Sequence, residues 1–202
     1  MLDRALLNLL RPLTTATAQR LAAMGMSANA LSFMGCGLGL AAALSIALHA
    51  YVWGLALLLC SRVCDGLDGA VARATTPTDR GAFLDITLDF VFYASIPLAF
   101  AIAEPERNAL AAAVLLASFL GTGSSFLAFA VLAEKRGLHA TALPQKGFYF
   151  LGGLTEGSET IAAFIAMCLW PLHFAAIAYG FAALCAITTV LRLKWGWQAL
   201  GD

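Results

Sequence analysis

The sequence predicts an all-α integral membrane protein: one domain of six transmembrane helices preceded by an amphipathic helix on the membrane surface. Three observations carry that expectation. The 202 residues are 61% hydrophobic and 12% charged, with a mean hydropathy of +0.83, whereas soluble domains hold about 45–50% apolar and about 25% charged residues. The apolar residues fall into six stretches, each near the roughly 20 residues that cross a bilayer. Lys and Arg collect at alternate ends of those stretches. This composition excludes a disordered chain. With a formal net charge of zero, it also excludes a nucleic-acid partner, which needs a basic surface to meet phosphates.

Residues 1–25 come first. Leu6, Leu7, Leu9, Leu10, Leu13 and Leu21 are interrupted by Arg4, Arg11 and Arg20. That is too broken for a signal-peptide core and fits a helix lying in the membrane interface. The spans follow near 29–49, 51–72, 82–103, 109–133, 148–170 and 172–192. Pro77, Pro105, Pro144 and Pro171 separate some of them, and Pro97 inside the third is expected to kink it. Residues 1–202 therefore read as a single domain, with the bundle over 29–192.

Orientation follows from the cations. Arg4, Arg11 and Arg20 precede the first span, Arg73 and Arg80 join the second to the third, Lys135, Arg136 and Lys146 join the fourth to the fifth, and Arg192 and Lys194 follow the sixth. The other side holds Arg107 beside Glu104 and Glu106. Both termini are expected in the cytoplasm, in the inner membrane if the cell is bacterial. Trp53, Trp170, Trp195 and Trp197 at span ends are expected interface anchors.

The acidic residues carry the chemistry. An ionised Asp at a helix centre costs about 2.5–3.5 kcal/mol on insertion scales. Asp65 and Asp68 lie in the second stretch, Asp85 and Asp89 in the third. Spacings of three and four put each pair on one helix face. The short connection around Pro77 makes the two helices antiparallel neighbours, so the pairs meet at one cytoplasmic mouth. Converging carboxylates repel. Hard divalent cations relieve that repulsion, and Mg²⁺ works with carboxylates plus substrate phosphates. A pair of metals in such a cluster suits in-line displacement at phosphorus. The competing readings are membrane ion pairs with Arg62 and Arg73, which cannot neutralise all of the acids, and a small ion-coupled transporter, since intramembrane acids also mark ion pathways.

The segment Asp65-Gly-Leu-Asp68-Gly69-Ala-Val-Ala72-Arg73, followed by Gly81-Ala-Phe-Leu-Asp85-Ile-Thr-Leu-Asp89, resembles the signature of the CDP-alcohol phosphotransferase family. All of its defining positions are filled within residues 65–89. Upstream, Asn29 to Ser32 is similar to the family's Pro-Asn-x-x-Thr segment, with Ala28 in place of Pro and Ser32 in place of Thr. The resemblance implies two divalent cations, Mg²⁺ or Mn²⁺, ligated by Asp65, Asp68, Asp85 and Asp89, with Asp89 also the general base. It implies nucleotide contacts from Asn29, Ser32, Gly69, Ala72, Arg73, Thr78 and Gly81. The implied reaction moves a phosphatidyl group from CDP-diacylglycerol to an alcohol with release of CMP. A family member using a soluble CDP-alcohol and a lipid acceptor is the variant reading. Membrane lipids and a second copy of the chain, in a homodimer, are the other expected partners.

The remaining features are weighed on their residues. Gly35-Cys36-Gly37-Leu38-Gly39 lies inside a span and reads as a close helix-packing face rather than a nucleotide loop. Cys36, Cys60, Cys64, Cys168 and Cys185 contain no CxxC pair, so no disulfide framework or zinc site is expected. Glu156 and Glu159, three apart at the start of the fifth span, are expected to face inward as part of an acceptor pocket with Lys135, Arg136 and Lys146. The alternative is an internal pair with Lys146 or Arg136.

Overall fold

The computed structural model describes residues 14–137 and 154–201, and every regular element among them is helical. Helix α1 covers residues 14–23. It is followed by α2 (Ala28–Ala47), α3 (Tyr51–Ala74), α4 (Asp79–Ala103), α5 (Pro105–Lys135), α6 (Gly157–Leu169) and α7 (Phe174–Ala199). A 3₁₀ turn, Pro171–His173, leads into α7.

Local chemistry sets the boundaries. Ser27 caps α2, its Oγ accepting from the Ala30 N–H at 3.2 Å. Thr78 caps α4 in the same way through the Gly81 N–H at 3.1 Å, and Asp79 in the first turn suits the positive helix end. Pro105 opens α5, where its missing N–H has no partner to lose. Glu104 is the single non-helical residue between α4 and α5. The C-terminal carbonyl of α4 at Phe100 accepts from Asn108 Nδ2 at 3.0 Å, which satisfies that buried amide's donor. At the same end of the bundle, His49 Nε2 lies 3.7 Å from Glu104.

Helix α2 packs on α3 and α4, α4 on α5, α5 on α7, and α3 on α6. The seam between α2 and α3 runs through glycines. A Cβ on Gly35 would stand 3.2 Å from Cys64 Cβ, and Ser61 Oγ donates to the Gly35 carbonyl at 2.7 Å. Gly39 meets the Phe92 ring, whereas Gly37 has open space beside it. The expected packing face is thus Gly35 and Gly39, four apart on one side of α2. Beyond it lies an aromatic core: Phe100 stacks on Phe174 at 4.6 Å, and Phe92 meets Phe164 edge-on at 6.2 Å. A separate small cluster joins Ala18 of α1 to Leu31, Ala70 and Val71, with Leu21 and Ala22 alongside.

Residues 28–47, 79–103, 105–135 and 171–199 are long and apolar enough to cross a membrane. Large apolar side chains such as Val52, Leu110 and Leu120 point outward at 70–80% exposure and beyond, 81%, 71% and 72% respectively. Water does not tolerate such a surface over a whole bundle; lipid does. The chain is an integral membrane protein.

Two expected elements differ. Helix α3 has the length of a span but carries Arg62, Asp65 and Asp68 in its apolar run. Helix α6 begins at Gly157, not near 148, because Glu156 ends the preceding backbone as an extended N-cap. Its 13 residues reach about 20 Å, short of the roughly 30 Å hydrocarbon core. Residues 148–153 of the expected fifth span lie outside the described residues, as do residues 1–13 of the expected surface helix. In α1, positions 14, 17, 18, 21 and 22 are turned inward while Gln19 and Arg20 are exposed, a spacing of one helical face.

Candidate active site

Three helices build the site at the end of the bundle opposite His49 and Glu104. Helix α2 supplies Ser32, one turn after its cap. Helix α3 supplies Arg62, Asp65 and Asp68 along one face, and α4 supplies Asp85 and Asp89 along the facing one. Asp65, Asp68 and Asp85 each offer a carboxylate oxygen, and these oxygens lie within 4.8 Å of one another. Asp68 is 5% exposed and accepts from Ser32 Oγ at 2.6 Å. Such a set of hard oxygen donors fits Mg²⁺ or Mn²⁺. Of the thiols nearby, Cys64 is buried in the packing seam, Cys60 is exposed, and the partly buried Cys36 lines the cleft as a soft donor ill-suited to such cations.

Asp89 lines the same small cleft as the other three aspartates, together with Ser32, Gly35, Cys36, Arg62 and Leu88. Its partner is Arg62, whose Nη1 donates to Asp89 Oδ1 at 2.9 Å and stands 3.4 Å from Asp65 Oδ1. From sequence, Arg62 is an ion-pair candidate for the acids without a specified partner. The available signal was a cation one turn before an aspartate; nothing local pointed to Asp89.

A larger cleft of about 490 Å³ adjoins the cluster and shares Ser32, Asp68 and Asp85 with it. Asn29, Ser32, Gly69, Ala72, Arg73, Thr78 and Gly81 all line it, with Thr75, Thr76 and Pro77 of the α3–α4 link. Its size suits a small-molecule headgroup. Both glycines sit where a side chain would intrude. A Cβ on Gly69 would lie 3.2 Å from Arg73 Nη1, and one on Gly81 would lie 3.2 Å from Thr78 Oγ1 and 3.3 Å from Asn29 Oδ1. For the nucleotide contacts that the sequence resemblance implies, Gly81→Ala is expected to raise the KM of a nucleotide-linked substrate by about tenfold or more with the fold intact. Steady-state kinetics beside a thermal melt checks this; an unchanged KM in folded protein puts the nucleotide elsewhere.

Of the residues expected on the acceptor side, the described ones, Lys135, Arg136, Glu156 and Glu159, do not join this cluster. Lys135 ends α5, and Arg136 Nη1 donates to the Gly201 carbonyl at 3.4 Å. Lys146 lies outside the described residues. Glu156 and Glu159 close a capping box at the start of α6: the Glu156 N–H donates to Glu159 Oε2 at 3.1 Å, and the Glu156 side chain accepts from the Glu159 N–H. They share a helix start rather than a helix face, and neither lines the two clefts.

Comparison with known proteins bears on this geometry. The profile of the CDP-alcohol phosphatidyltransferase family matches residues 25–193. The chain is 47% identical over 200 residues to the inner membrane protein YnjF of Escherichia coli K12, covering 99% of this chain and 97% of that one. Its fold is similar to the Mycobacterium tuberculosis phosphatidylinositol phosphate synthase PgsA1 with CDP-DAG bound, at a TM-score of 0.75 and 23% identity, covering 93% of this chain and 95% of that one. The same enzyme in complex with manganese and citrate gives a TM-score of 0.71 at 23% identity over 93% of this chain and 90% of that one. At that identity the likeness to PgsA1 is one of fold.

Proposed function

Since the chain belongs to the CDP-alcohol phosphatidyltransferase family, a family of metal-dependent transferases in phospholipid synthesis, we propose that it moves a phosphatidyl group from CDP-diacylglycerol to an alcohol and releases CMP. The observation that carries this reading is the meeting of Asp65, Asp68 and Asp85 within 4.8 Å, beside a cleft of about 490 Å³ lined by polar and glycine positions. Two divalent cations, when bound there, supply positive charge against the donor pyrophosphate.

The chain's own residues divide the remaining work. Asn29, Ser32, Arg73 and Thr78 hold the cytidine nucleotide, and Arg73 suits its phosphates and planar base. Gly69, Ala72 and Gly81 leave it room. An alcohol is a weak nucleophile at neutral pH and needs a base. Asp89 takes the hydroxyl proton as the new P–O bond forms and the bond to CMP breaks. The donor stays in the bilayer, so the site has to be reached by a lipid from one side and by the alcohol from the other. A bundle of six spans, both termini in the cytoplasm and a homodimeric assembly complete the reading. For a bacterial cell the membrane is the inner one, in keeping with the name of the Escherichia coli relative.

The alcohol enters from the cytoplasmic side, with Lys135, Arg136, Glu156 and Glu159 on its path. Glu159→Gln preserves the capping geometry, because glutamine serves equally in the box. The variant is then expected to raise the acceptor KM by about tenfold at unchanged Tm. Glu159→Ala should in addition lower stability by about 0.5–2 kcal/mol. An unchanged acceptor KM in the glutamine variant leaves the pair with capping alone.

The whole reading is tested with purified protein, CDP-diacylglycerol and a panel of labelled alcohols. CMP release that requires one alcohol supports it and names the acceptor. Release of CMP only from a soluble CDP-alcohol, with label entering lipid, reverses donor and acceptor. No release with any pair, in folded and metal-loaded protein, overturns it.

A further inference from the structure

Arg62 is held in a way that the four aspartates alone do not explain. Its guanidinium carbon lies 3.7 Å from the centre of the Phe92 ring, a stacked arrangement. Nη2 donates to Ser61 Oγ at 3.1 Å, and Ser61 in turn donates to the Gly35 carbonyl on α2 at 2.7 Å. The side chain is 14% exposed, yet its Nε is buried without a hydrogen-bond partner. A guanidinium has five N–H donors in a fixed fork, so this one is placed by its ring and its serine, with its Nη1 aimed at the cluster. That Nη1 faces Asp65 and Asp89 together. Asp65 is shared by both edges of the cluster, its Oδ1 standing 3.4 Å from Nη1 against 2.9 Å for Asp89, while Asp68 and Asp85 form no ion pair with the arginine among the described residues.

We propose that Arg62 is a built-in cation occupying the Asp65–Asp89 edge, which makes the two divalent cations bind unequally. The first binds at Asp65, Asp68 and Asp85, and the second binds toward Asp89 in competition with the guanidinium. This rests on the metal-dependent reading of the same site. Arg62 is then a positioning residue: it neutralises Asp89 and fixes its side chain while the second cation is absent, and it grades that cation's affinity. A metal ion cannot use a carboxylate oxygen at full strength while a fixed positive charge stands 2.9 Å from it.

Mn²⁺ binding to the purified full-length chain, read by the electron paramagnetic resonance signal of free Mn²⁺, tests this without any turnover. Wild-type protein is expected to show two classes of site separated by at least about tenfold in Kd. Arg62→Gln is expected to tighten the weaker class by about tenfold or more and to leave the stronger within a few-fold. Arg62→Lys keeps the charge and the wild-type separation. Equal Kd values in the wild type overturn the proposal, with no variant needed. So does an Arg62→Gln protein that melts like the wild type but keeps the separation, or weakens both classes together. No Mn²⁺ binding to folded wild-type protein overturns the metal reading itself, and so separates its failure from that of the Arg62 role.

Discussion

Asp89→Asn is expected to lower kcat by about 10²–10⁴-fold, the usual contribution of a positioned base, while affinity for CDP-diacylglycerol changes little. Asparagine keeps the size of the side chain and an oxygen for Arg62 Nη1, which stands 2.9 Å from Asp89 Oδ1. It loses the capacity to take a proton from the alcohol. The other aspartates behave differently, because Asp65, Asp68 and Asp85 form the tight oxygen group. Asp68→Asn should weaken metal binding and, with it, donor binding, besides leaving Ser32 Oγ on a poorer acceptor. Single-turnover CMP release together with equilibrium binding of the donor distinguishes the two patterns. An Asp89→Asn enzyme turning over at the wild-type rate means that another group accepts the proton.

Removal of divalent cations is expected to take CMP release to background, and Mg²⁺ or Mn²⁺ to restore it. Three carboxylates that offer oxygens within 4.8 Å of one another, on helices crossing a low-dielectric phase, repel strongly. Among the described residues, Arg62 is the one counter-charge lining their cleft. A donor pyrophosphate adds further negative charge to the adjoining space. Without cations the pocket is therefore set against its own substrate. Full activity in excess chelator, with the metal content measured as nil, refutes the metal-dependent mechanism.

The two parts of the site were unequally legible in the sequence. Asp65, Asp68, Asp85 and Asp89 declare themselves by spacing, since three and four are helical intervals and apolar surroundings make each acid expensive. The short link around Pro77 brings both pairs to one mouth, although α3 and α4 each pack on α2 rather than on one another. The pairing of Arg62 with Asp89 was not legible, because the residues lie 27 positions apart. Their meeting depends on the rotation of α3 against α4, which the glycine seam and the Phe92 ring set in three dimensions. Glu156 and Glu159 were legible as a pair but not as a cap. The residues between them, Gly157 and Ser158, and the acid three places on suit a first helical turn, but the usual cap is Ser or Thr, and a long apolar run across 148–170 masked the helix start. Among the elements, α2, α4, α5 and α7 follow from apolar length alone. Helix α3 follows only once its charges have partners.

That last dependence reaches back to how the protein is made. A charged group opposes partitioning into hydrocarbon by about 2.5–3.5 kcal/mol at a helix centre, so α3, with Arg62, Asp65 and Asp68 in its apolar run, is less suited to leave the translocation channel alone than the more apolar α4. Their charges meet across the interface, through Arg62 and Asp89 at 2.9 Å, and Asp68 meets Ser32 of the helix before. Four residues separate α3 from α4, too few to let one wait in lipid far from the other. Helix α3 is therefore expected to be held in the bilayer through α2 and α4 together, with residues 28–103 integrating as a unit.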